Sequence, residues 1–268
     1  MRSVARANSA TVRDGRRQSC GEDETMRLER VARDFSTDHG FNARLVDFRF
    51  EVIAPWVRGA ERCLELGCAD GRMTERLRRV VKRLTAVDGS LEQVRRTRRR
   101  CPDVEVVHAL FEQYQADATY DVVVLAHVLE HVADPVALLA RAAACARPGG
   151  RLVVTVPNAD SLHRQAGVEL GLIEDVTALD EQDLRIGHRR VYTRTTLLRD
   201  LQTAGLVVDH LDGVFLKPLP NDQIERQWGE ALIRAYFELG RRYPQIAAEI
   251  VAIAQVPASG VQSPLGGS

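Results

Sequence analysis

The stretch of residues 62–73, with the sequence RCLELGCADGRM, constrains the fold of this chain more than any other. It begins as a buried-strand pattern, bends at Gly67 and Gly71, and runs into an amphipathic helical pattern that extends to Lys82. Glycines between a strand and a helix allow a sharp turn and a close approach of the backbone to another group. The stretch therefore predicts a ligand-binding turn at the end of a first strand.

Strand and helix patterns alternate along the sequence that follows. Further strands are predicted over residues 84–88, 104–109, 120–126 and 151–156, and helices over 91–100, 134–147 and 193–204. Two closing strands are predicted over 206–211 and 214–217, and one amphipathic helix over 221–242. This alternation predicts an α/β fold with a doubly wound, mostly parallel sheet. Ligands of such sheets bind at the carboxyl ends of the strands.

The remaining segments are predicted from composition and periodicity. Residues 1–23 have no apolar period and are predicted to be a disordered leader, and residues 257–268 a flexible tail. A single domain is predicted over 24–256. It contains a helical lead-in over 24–58 and an irregular insertion over 158–192, which we expect to form a lid or a substrate pocket.

The composition disfavours several classes of partner. The 37 basic and 37 acidic side chains cancel, so no overall field favours nucleic acid or an acidic membrane. No apolar run approaches the roughly 20 residues of a membrane helix. The five scattered cysteines indicate free thiols in a reducing cytoplasm, where we expect the protein to reside. A homodimer stays open, because Trp228, Tyr236 and Phe237 can serve as core or dimer contacts.

The residues that follow the first two predicted strands indicate a nucleoside-like ligand. Asp88 ends the second strand, where a carboxylate can bind both hydroxyls of a ribose. A dinucleotide site prefers Gly-x-Gly-x-x-Gly, but Ala69 replaces the middle glycine and Asp70 would repel a pyrophosphate. A cationic sulfonium with an amino-acid tail tolerates that carboxylate. The pattern therefore favours S-adenosylmethionine over NAD.

Four ordered motifs resemble those of class I S-adenosylmethionine-dependent methyltransferases. They are ELGCADG at 65–71, AVDGS at 86–90, YDVVVLAHVLEHVADP at 120–135 and RPGGRLVVTVPN at 147–158. The resemblance covers residues 62–216 and implies a seven-stranded, Rossmann-like methyltransferase fold. It implies that Asp88 binds the ribose and that Leu110 and Phe111 flank the adenine. The cofactor site implied in full is Glu65, Gly67, Cys68, Gly71, Asp88, Gly89, Leu110, Phe111, Ala126 and His127.

A second informative stretch follows the fourth predicted strand. His127, Glu130 and His131 lie at i, i+3 and i+4, so on a helical turn they would share one face. Two imidazoles and a carboxylate can form part of a divalent metal site, and His188 can supply a fourth ligand. The set is similar to the Glu-x-x-Glu-His…His metal site of small-RNA 3′-terminal 2′-O-methyltransferases. Ubiquinone-pathway O-methyltransferases have a similar run.

The sequence departs from that pattern at His127, where those families have Glu. Among Mg²⁺, Mn²⁺, Zn²⁺ and Fe²⁺, an imidazole at this position favours the softer Zn²⁺ or Fe²⁺. The alternative of no metal stays open, because Leu-Glu-His-Val also occurs in metal-free methyltransferases of this class. In that case His127 or His188 is the candidate general base, since imidazole titrates near neutral pH.

Together these features predict methyl transfer from S-adenosylmethionine to a small-molecule acceptor, at a hydroxyl oxygen of a sugar or secondary metabolite. His127 and His188 are the candidate catalytic residues, and His163 with Arg164 can bind an anionic group of the acceptor. Three alternatives stay open. They are an RNA 2′-O-methyltransferase, a small-molecule N-methyltransferase and a non-enzymatic module that only binds the cofactor.

Overall fold

The computed structural model describes residues 24–33 and 36–258 of the chain. The predicted leader over 1–23 and most of the predicted tail lie outside these residues. In chain order the elements are α1 (24–33), α2 (Gly40–Val57), β1 (Arg62–Leu66), α3 (Arg72–Leu77), β2 (Arg83–Asp88), α4 (Leu91–Arg100), β3 (Glu105–His108), β4 (Tyr120–Ala126), α5 (Pro135–Cys145), β5 (Ala146–Pro157), α6 (Leu162–Glu169), α7 (Glu181–Arg185), α8 (Arg194–Thr203), β6 (Val207–Val214), α9 (Asn221–Gln227), α10 (Glu230–Arg242) and β7 (Glu249–Gln255).

The strands form one seven-stranded sheet in the order β3-β2-β1-β4-β5-β7-β6. Neighbouring strands are parallel except at β7, which runs antiparallel to both β5 and β6. The prediction of a doubly wound, mostly parallel sheet is therefore confirmed. The direction of winding reverses between β1 and β4, and this switch point is where ligands of such sheets bind.

Helices cover both faces of the sheet, which explains the apolar sequence of its central strand. One core cluster contains Leu138 of α5 together with Val123 of β4. The opposite cluster contains Phe237 of α10 together with Val124 of β4. Consecutive residues of a strand point to opposite faces, so a strand buried on both sides has no polar positions to alternate with.

The predicted start of α5 is confirmed in detail. The side chain of Asp134 accepts a hydrogen bond of 2.9 Å from the backbone N–H of Ala137, and Pro135 occupies the first turn. An acidic N-cap satisfies a free N–H group of the helix, and the missing N–H of proline removes another. The helix therefore begins directly below the loop that follows β4.

The last two strands differ from the sequence-based prediction. The predicted strand over 214–217 does not form: Val214 is the last residue of β6, and the chain leaves the sheet at Phe215, which has a φ of 59° and is fully buried. The final strand is instead β7, which inserts between β5 and β6. Its sequence EIVAIAQ is almost wholly buried and does not alternate, so it lacks the periodic signal of a half-exposed strand.

Two helices also have other bounds than predicted. The helix after the glycine turn ends at Leu77, and residues 78–82 return the chain to β2. The segment 221–242 contains two helices, because Trp228 is extended and Gly229 begins a new helix. Trp228 packs on Tyr236, with ring centroids 4.5 Å apart, so these two aromatic side chains contact each other within the chain. In the described part of the chain, no helix is both long and apolar enough to cross a bilayer.

Candidate active site

A cavity of about 1050 Å³ opens at the carboxyl ends of the parallel strands. Gly67, Asp88 and His127 line it immediately after or at the ends of β1, β2 and β4. Helices α1 and α2, the segment between β5 and β6 with His163 and His188, the segment that follows β6 and the start of β7 contribute further walls. The cavity therefore lies at the switch point of the sheet, as the strand order requires.

The turn after β1 requires glycine at two positions. Gly67 has a φ of 85°, and a Cβ atom there would lie 2.6 Å from a methyl carbon of Val128. Gly71 has a φ of 84°, and a Cβ atom there would lie 3.0 Å from the Cα of Thr97. Side chains rarely adopt this left-handed backbone, and neither site has room for one. The bend therefore brings bare backbone to the floor of the cavity.

Asp88 is held at the edge of the same turn. Its carboxylate accepts hydrogen bonds from the backbone N–H groups of Ala69 at 3.0 Å and Ser90 at 2.9 Å. Burial outweighs these two hydrogen bonds and raises the pKa of Asp88 to about 6. Gly89, Leu110 and Phe111 line the cavity beside it. A carboxylate with an apolar wall next to it suits a ribose that carries a flat, apolar base.

Not all predicted cofactor residues reach the cavity. Gly67, Asp88, Gly89, Leu110, Phe111, Ala126 and His127 line it, whereas Glu65, Cys68 and Gly71 do not. Glu65 is fully buried below the turn, where its carboxyl group accepts a hydrogen bond of 2.6 Å from Thr74. Burial raises the pKa of Glu65 to about 8. Glu65 therefore lies behind the turn, and its second carboxyl oxygen has no hydrogen-bond partner among the described residues.

Asp70 also has a different role from the one predicted. Its carboxylate accepts hydrogen bonds from the hydroxyl of Ser36 at 2.8 Å and from the backbone N–H of Thr37 at 2.7 Å. It is buried and does not line the cavity. The acidic side chain therefore anchors the segment between α1 and α2, and the expectation that it faces the ligand is wrong. Thr37, which sequence reasoning missed, does line the cavity.

Three predicted metal ligands lie close together: His131 and His188 line the cavity, and Glu130 is fully buried behind its wall. One ligand atom each from Glu130, His131 and His188 lies within 4.8 Å of the other two. The Nδ1 atom of His188 is 2.8 Å from a carboxylate oxygen of Asp183, and the Nδ1 atom of His131 is 3.3 Å from the carbonyl oxygen of Gly187. When Nδ1 is engaged in this way, Nε2 is left to bind a cation.

The carboxylate of Glu130 is the strongest sign of a missing ligand. The side chain is fully buried, and beyond an ion pair with the Nδ1 atom of His127 at 3.2 Å neither oxygen has a hydrogen-bond partner among the described residues. A buried carboxylate without such partners is unfavourable unless a nearby positive charge compensates it. Burial lowers the pKa of His131 to about 4, so this ring is neutral at pH 7, as a metal ligand must be. The three side chains therefore fit a divalent cation.

His127 lies beside this cluster but is not part of it. Residues 127–132 form turns, so the shared helical face that the sequence predicts does not exist. His127 has a φ of 59°, and its Nδ1 atom is 3.2 Å from Glu130 while its Nε2 atom is 3.3 Å from Glu249. Burial and Arg49 lower the pKa of His127, but the two carboxylates outweigh them and hold it above its usual value.

Sequence reasoning missed the side chains that position the cluster. Arg49 binds both oxygens of Glu249, at 2.8 and 2.7 Å, and Glu249 in turn contacts His127. Glu249 begins β7, the strand that the sequence pattern did not reveal. Asp183 is the N3 residue of α7, and the capping box of that helix is the one local signal that could have drawn attention to it.

Arg164 was predicted to bind an anion, but its side chain already forms hydrogen bonds with groups of the protein. It donates hydrogen bonds to Asp183 at 3.1 Å, to the carbonyl oxygen of Val176 at 2.7 Å, and to the carbonyl oxygen of Ala178. The side chain is buried, with an exposed fraction of 8% for the residue. Arg164 therefore ties α6 to α7, and although it lines the cavity, all three of its side-chain nitrogens already donate to groups of the protein.

Comparisons with known proteins agree with this fold and cavity. A family model described as a methyltransferase domain matches residues 36–211. A probable S-adenosylmethionine-dependent methyltransferase of Mycobacterium tuberculosis is 30% identical over 216 residues, which are 76% of this chain and 72% of that protein. A ubiquinone biosynthesis O-methyltransferase of Aeromonas salmonicida is 28% identical over 170 residues, covering 60% of this chain and 69% of that protein.

A solved structure extends the agreement to the whole fold. The N-methyltransferase NodS from Bradyrhizobium japonicum, in complex with S-adenosyl-L-homocysteine, has a TM-score of 0.53 at 17% identity and covers 88% of this chain and 96% of that one. Among the first curated relatives, the chain spans between 37% and 72% of their lengths. The chain belongs to the class I S-adenosylmethionine-dependent methyltransferases.

Proposed function

We propose that this protein methylates a hydroxyl oxygen of a small molecule that carries two adjacent oxygens, with a divalent cation at Glu130, His131 and His188. The observation that carries the proposal is the fully buried carboxylate of Glu130, which lies within 4.8 Å of ligand atoms of His131 and His188 and has no partner among the described residues beyond its ion pair with His127. A chelating diol, catechol or hydroxy acid offers such a cation the oxygen ligands that complete its coordination.

The donor end of the cavity suits S-adenosylmethionine, whose sulfonium supplies an electrophilic methyl group. Asp88 would accept hydrogen bonds from the ribose hydroxyls, and Leu110 and Phe111 would cover the adenine. The bare backbone at Gly67 would bring the methyl donor close to the ends of β1 and β4. These residues hold the donor in one orientation, which is the main contribution a protein makes to a displacement of this kind.

The acceptor end would orient the attacking oxygen and remove its proton. Glu130, His131 and His188 would hold a divalent cation, which would lower the pKa of a hydroxyl bound to it. His127 lines the cavity between the donor end and this cluster, within 3.3 Å of carboxylates on both sides. In its neutral form His127 would accept the acceptor proton, and Glu130 and Glu249 would stabilise the charged ring that results.

A small acceptor fits better than RNA for two reasons. The 37 basic and 37 acidic side chains leave no net positive charge for a phosphate backbone. Helix α1 covers the cavity, since Arg27 donates to the carbonyl oxygens of Gly187 at 3.1 Å and His131 at 3.0 Å. The O-methyltransferase named in the comparison with Aeromonas salmonicida supports oxygen as the methylated atom.

The experiment that tests this function has two arms. Calorimetry of untagged protein with S-adenosylhomocysteine should show saturable binding, and titration with Zn²⁺, Mn²⁺ or Mg²⁺ should show one cation per chain. Turnover is then measured on a panel of catechols, hydroxy acids, sugars, amines and a short RNA, with and without a chelator. Oxygen methylation that the chelator abolishes supports the proposal. Full activity in the presence of the chelator would show that no metal is needed. Activity only on amines or only on RNA would show that the proposed acceptor class is wrong.

A further inference from the structure

The chain has two lysines among its 37 basic residues, and they lie in opposite environments. Lys82 is on the surface, where its ammonium group pairs with Glu61 at 2.7 Å. Lys217 follows β6 and lines the cavity on the acceptor side. Its side chain is mostly removed from solvent, and burial lowers its pKa to about 8 despite nearby acidic groups. At pH 7 it therefore remains largely charged.

No residue in the described part of the chain forms a hydrogen bond or ion pair with Lys217. The acidic side chains around it are engaged elsewhere. Glu249 is held by Arg49 and His127, and Asp183 is held by Arg164 and His188. Asp180 accepts a hydrogen bond of 2.8 Å from the N-terminal turn of α7. Lys217 is thus a cation in the wall of the cavity, and the carboxylates nearest to it already have other partners.

A second unpartnered polar group lies next to Lys217. His163 of α6 lines the same cavity, and its buried Nδ1 atom has no hydrogen-bond partner among the described residues. Burial, with a further contribution from the charge of Lys217, lowers the pKa of His163 to about 3. The ring is therefore neutral, so one of its nitrogens can donate an N–H hydrogen bond. Lys217 and His163 thus line the same cavity, and neither side chain has a hydrogen-bond acceptor among the described residues.

We propose that Lys217 and His163 form a subsite for a carboxylate group of the methyl acceptor. The proposal rests on the proposed function and narrows its acceptor to a hydroxylated carboxylic acid. One ammonium group and one neutral N–H donor match the single charge and the two oxygens of a carboxylate. A phosphate dianion would fit poorly, because Glu249 and Asp183 lie close by and the subsite supplies one positive charge.

The position in the sheet indicates that the anion belongs to the acceptor and not to the donor. Asp88 ends β2 and Lys217 follows β6, and these strands are five positions apart in the sheet. Lys217 lies within electrostatic range of Glu249 and Asp183, which contact His127 and His188 on the acceptor side. Leu170, Leu172 and Ile173 line the cavity near α6 and would cover the apolar body of the acid.

The two lysines allow a direct test by NMR on the full chain. Protein labelled with ¹³C-lysine has two ε-methylene signals, which the variant Lys82→Arg assigns. Benzoate and benzamide, which differ in charge and not in shape, are titrated at millimolar concentration in the presence of saturating S-adenosylhomocysteine. Benzoate should shift the Lys217 signal and raise its titration midpoint, while benzamide should leave both unchanged. The Lys82 signal, on the surface, should respond to neither compound.

Three results would overturn the proposal. The Lys217 signal could respond equally to benzoate and benzamide, or it could respond to neither. Alternatively, S-adenosylhomocysteine could displace benzoate, which would show that the anion site belongs to the cofactor. Loss of methyl transfer with the benzoate shift intact would reject the proposed function and retain the subsite. Once a hydroxy-acid acceptor is found, Lys217→Met should raise its KM ~10- to 100-fold. The variant should hardly change the KM of the matching amide, and Lys82→Met should change neither.

Discussion

The two ends of the cavity are built in different ways. The cofactor half, formed by the turn after β1 and by Asp88 at the end of β2, depends on backbone conformation. Its shape depends on Gly67 and Gly71, where no side chain fits. The acceptor half, formed around Glu130, His131 and His188, depends on side chains from distant elements joined by hydrogen bonds and ion pairs. The first is a property of one short stretch, and the second exists only when the chain has folded.

This difference makes the two halves separable by mutation. A change in the cofactor half should alter cofactor affinity or stability and leave the affinity for a cation unchanged. A change in the acceptor half should alter the affinity for a cation and leave cofactor affinity unchanged. The reason is that the hydrogen bonds of Asp88 and those of Asp183 share no partner. Three substitutions test this separation, from the largest expected effect to the smallest.

Asp88→Ala should have the largest effect. It removes the acceptor of the ribose hydroxyls and of two backbone N–H groups, so affinity for S-adenosylhomocysteine should fall by about 3 kcal/mol, or ~100-fold. Calorimetry measures the change, and Asp209→Ala, at an exposed position of β6, is the matched control. Cation affinity should stay unchanged. Normal cofactor binding by Asp88→Ala would show that the cofactor half is placed at the wrong strand end.

Gly67→Ala should have the next largest effect, this time on stability. The added methyl group would lie 2.6 Å from Val128 and the residue would have a φ of 85°, so the free energy of unfolding should fall by about 3 kcal/mol. Gly171→Ala is the control, since Gly171 has a φ of 67° but no atom within 4 Å of the added group. It should lose about 1 kcal/mol. Chemical denaturation measures both, and equal losses would contradict the claim of close approach.

Asp183→Asn should have the smallest effect and should act only on the acceptor half. It weakens the hydrogen bond that orients His188, so cation affinity should fall ~10-fold, as for other residues that position a metal ligand. Cofactor affinity should be unchanged. Asp180→Asn is a useful comparison, because Asp180 caps the same helix without touching His188. A cofactor affinity that follows the cation affinity would show that the two halves are coupled.

The cofactor half could be predicted from the sequence because its signals are local. Gly67 directly follows the first predicted strand, and Asp88 is the last residue of the second. The carboxyl end of a parallel strand lies at the ligand-binding edge whatever the position of that strand in the sheet. β4 was predicted with its observed bounds because seven residues of almost unbroken apolar character have few other interpretations. Leu110 and Phe111 followed from the resemblance, and both line the cavity.

The acceptor half could be predicted only in part. Glu130, His131 and His188 were grouped correctly as candidate ligands, but a helical spacing was the wrong reason, since residues 127–132 form turns. His127 has a left-handed backbone conformation, and its ring contacts Glu249. No local sequence pattern predicts that contact. Asp70 was misplaced for a similar reason: its partners, Ser36 and Thr37, are more than thirty residues earlier in the chain.

By itself, the sequence therefore determined the layered α/β fold, the glycine turn and the ribose-binding position, because each follows from apolar periodicity or from backbone geometry over a few residues. The tertiary structure alone decided which charged groups of the acceptor half satisfy one another. The pairing of β7 with β5 brings Glu249 into contact with Arg49 and His127. The packing of α6 against α7 brings Arg164 into an ion pair with Asp183. Long-range contacts also decide that Lys217, and Glu130 apart from its ion pair with His127, have no partner among the described residues, and no sequence pattern indicates this.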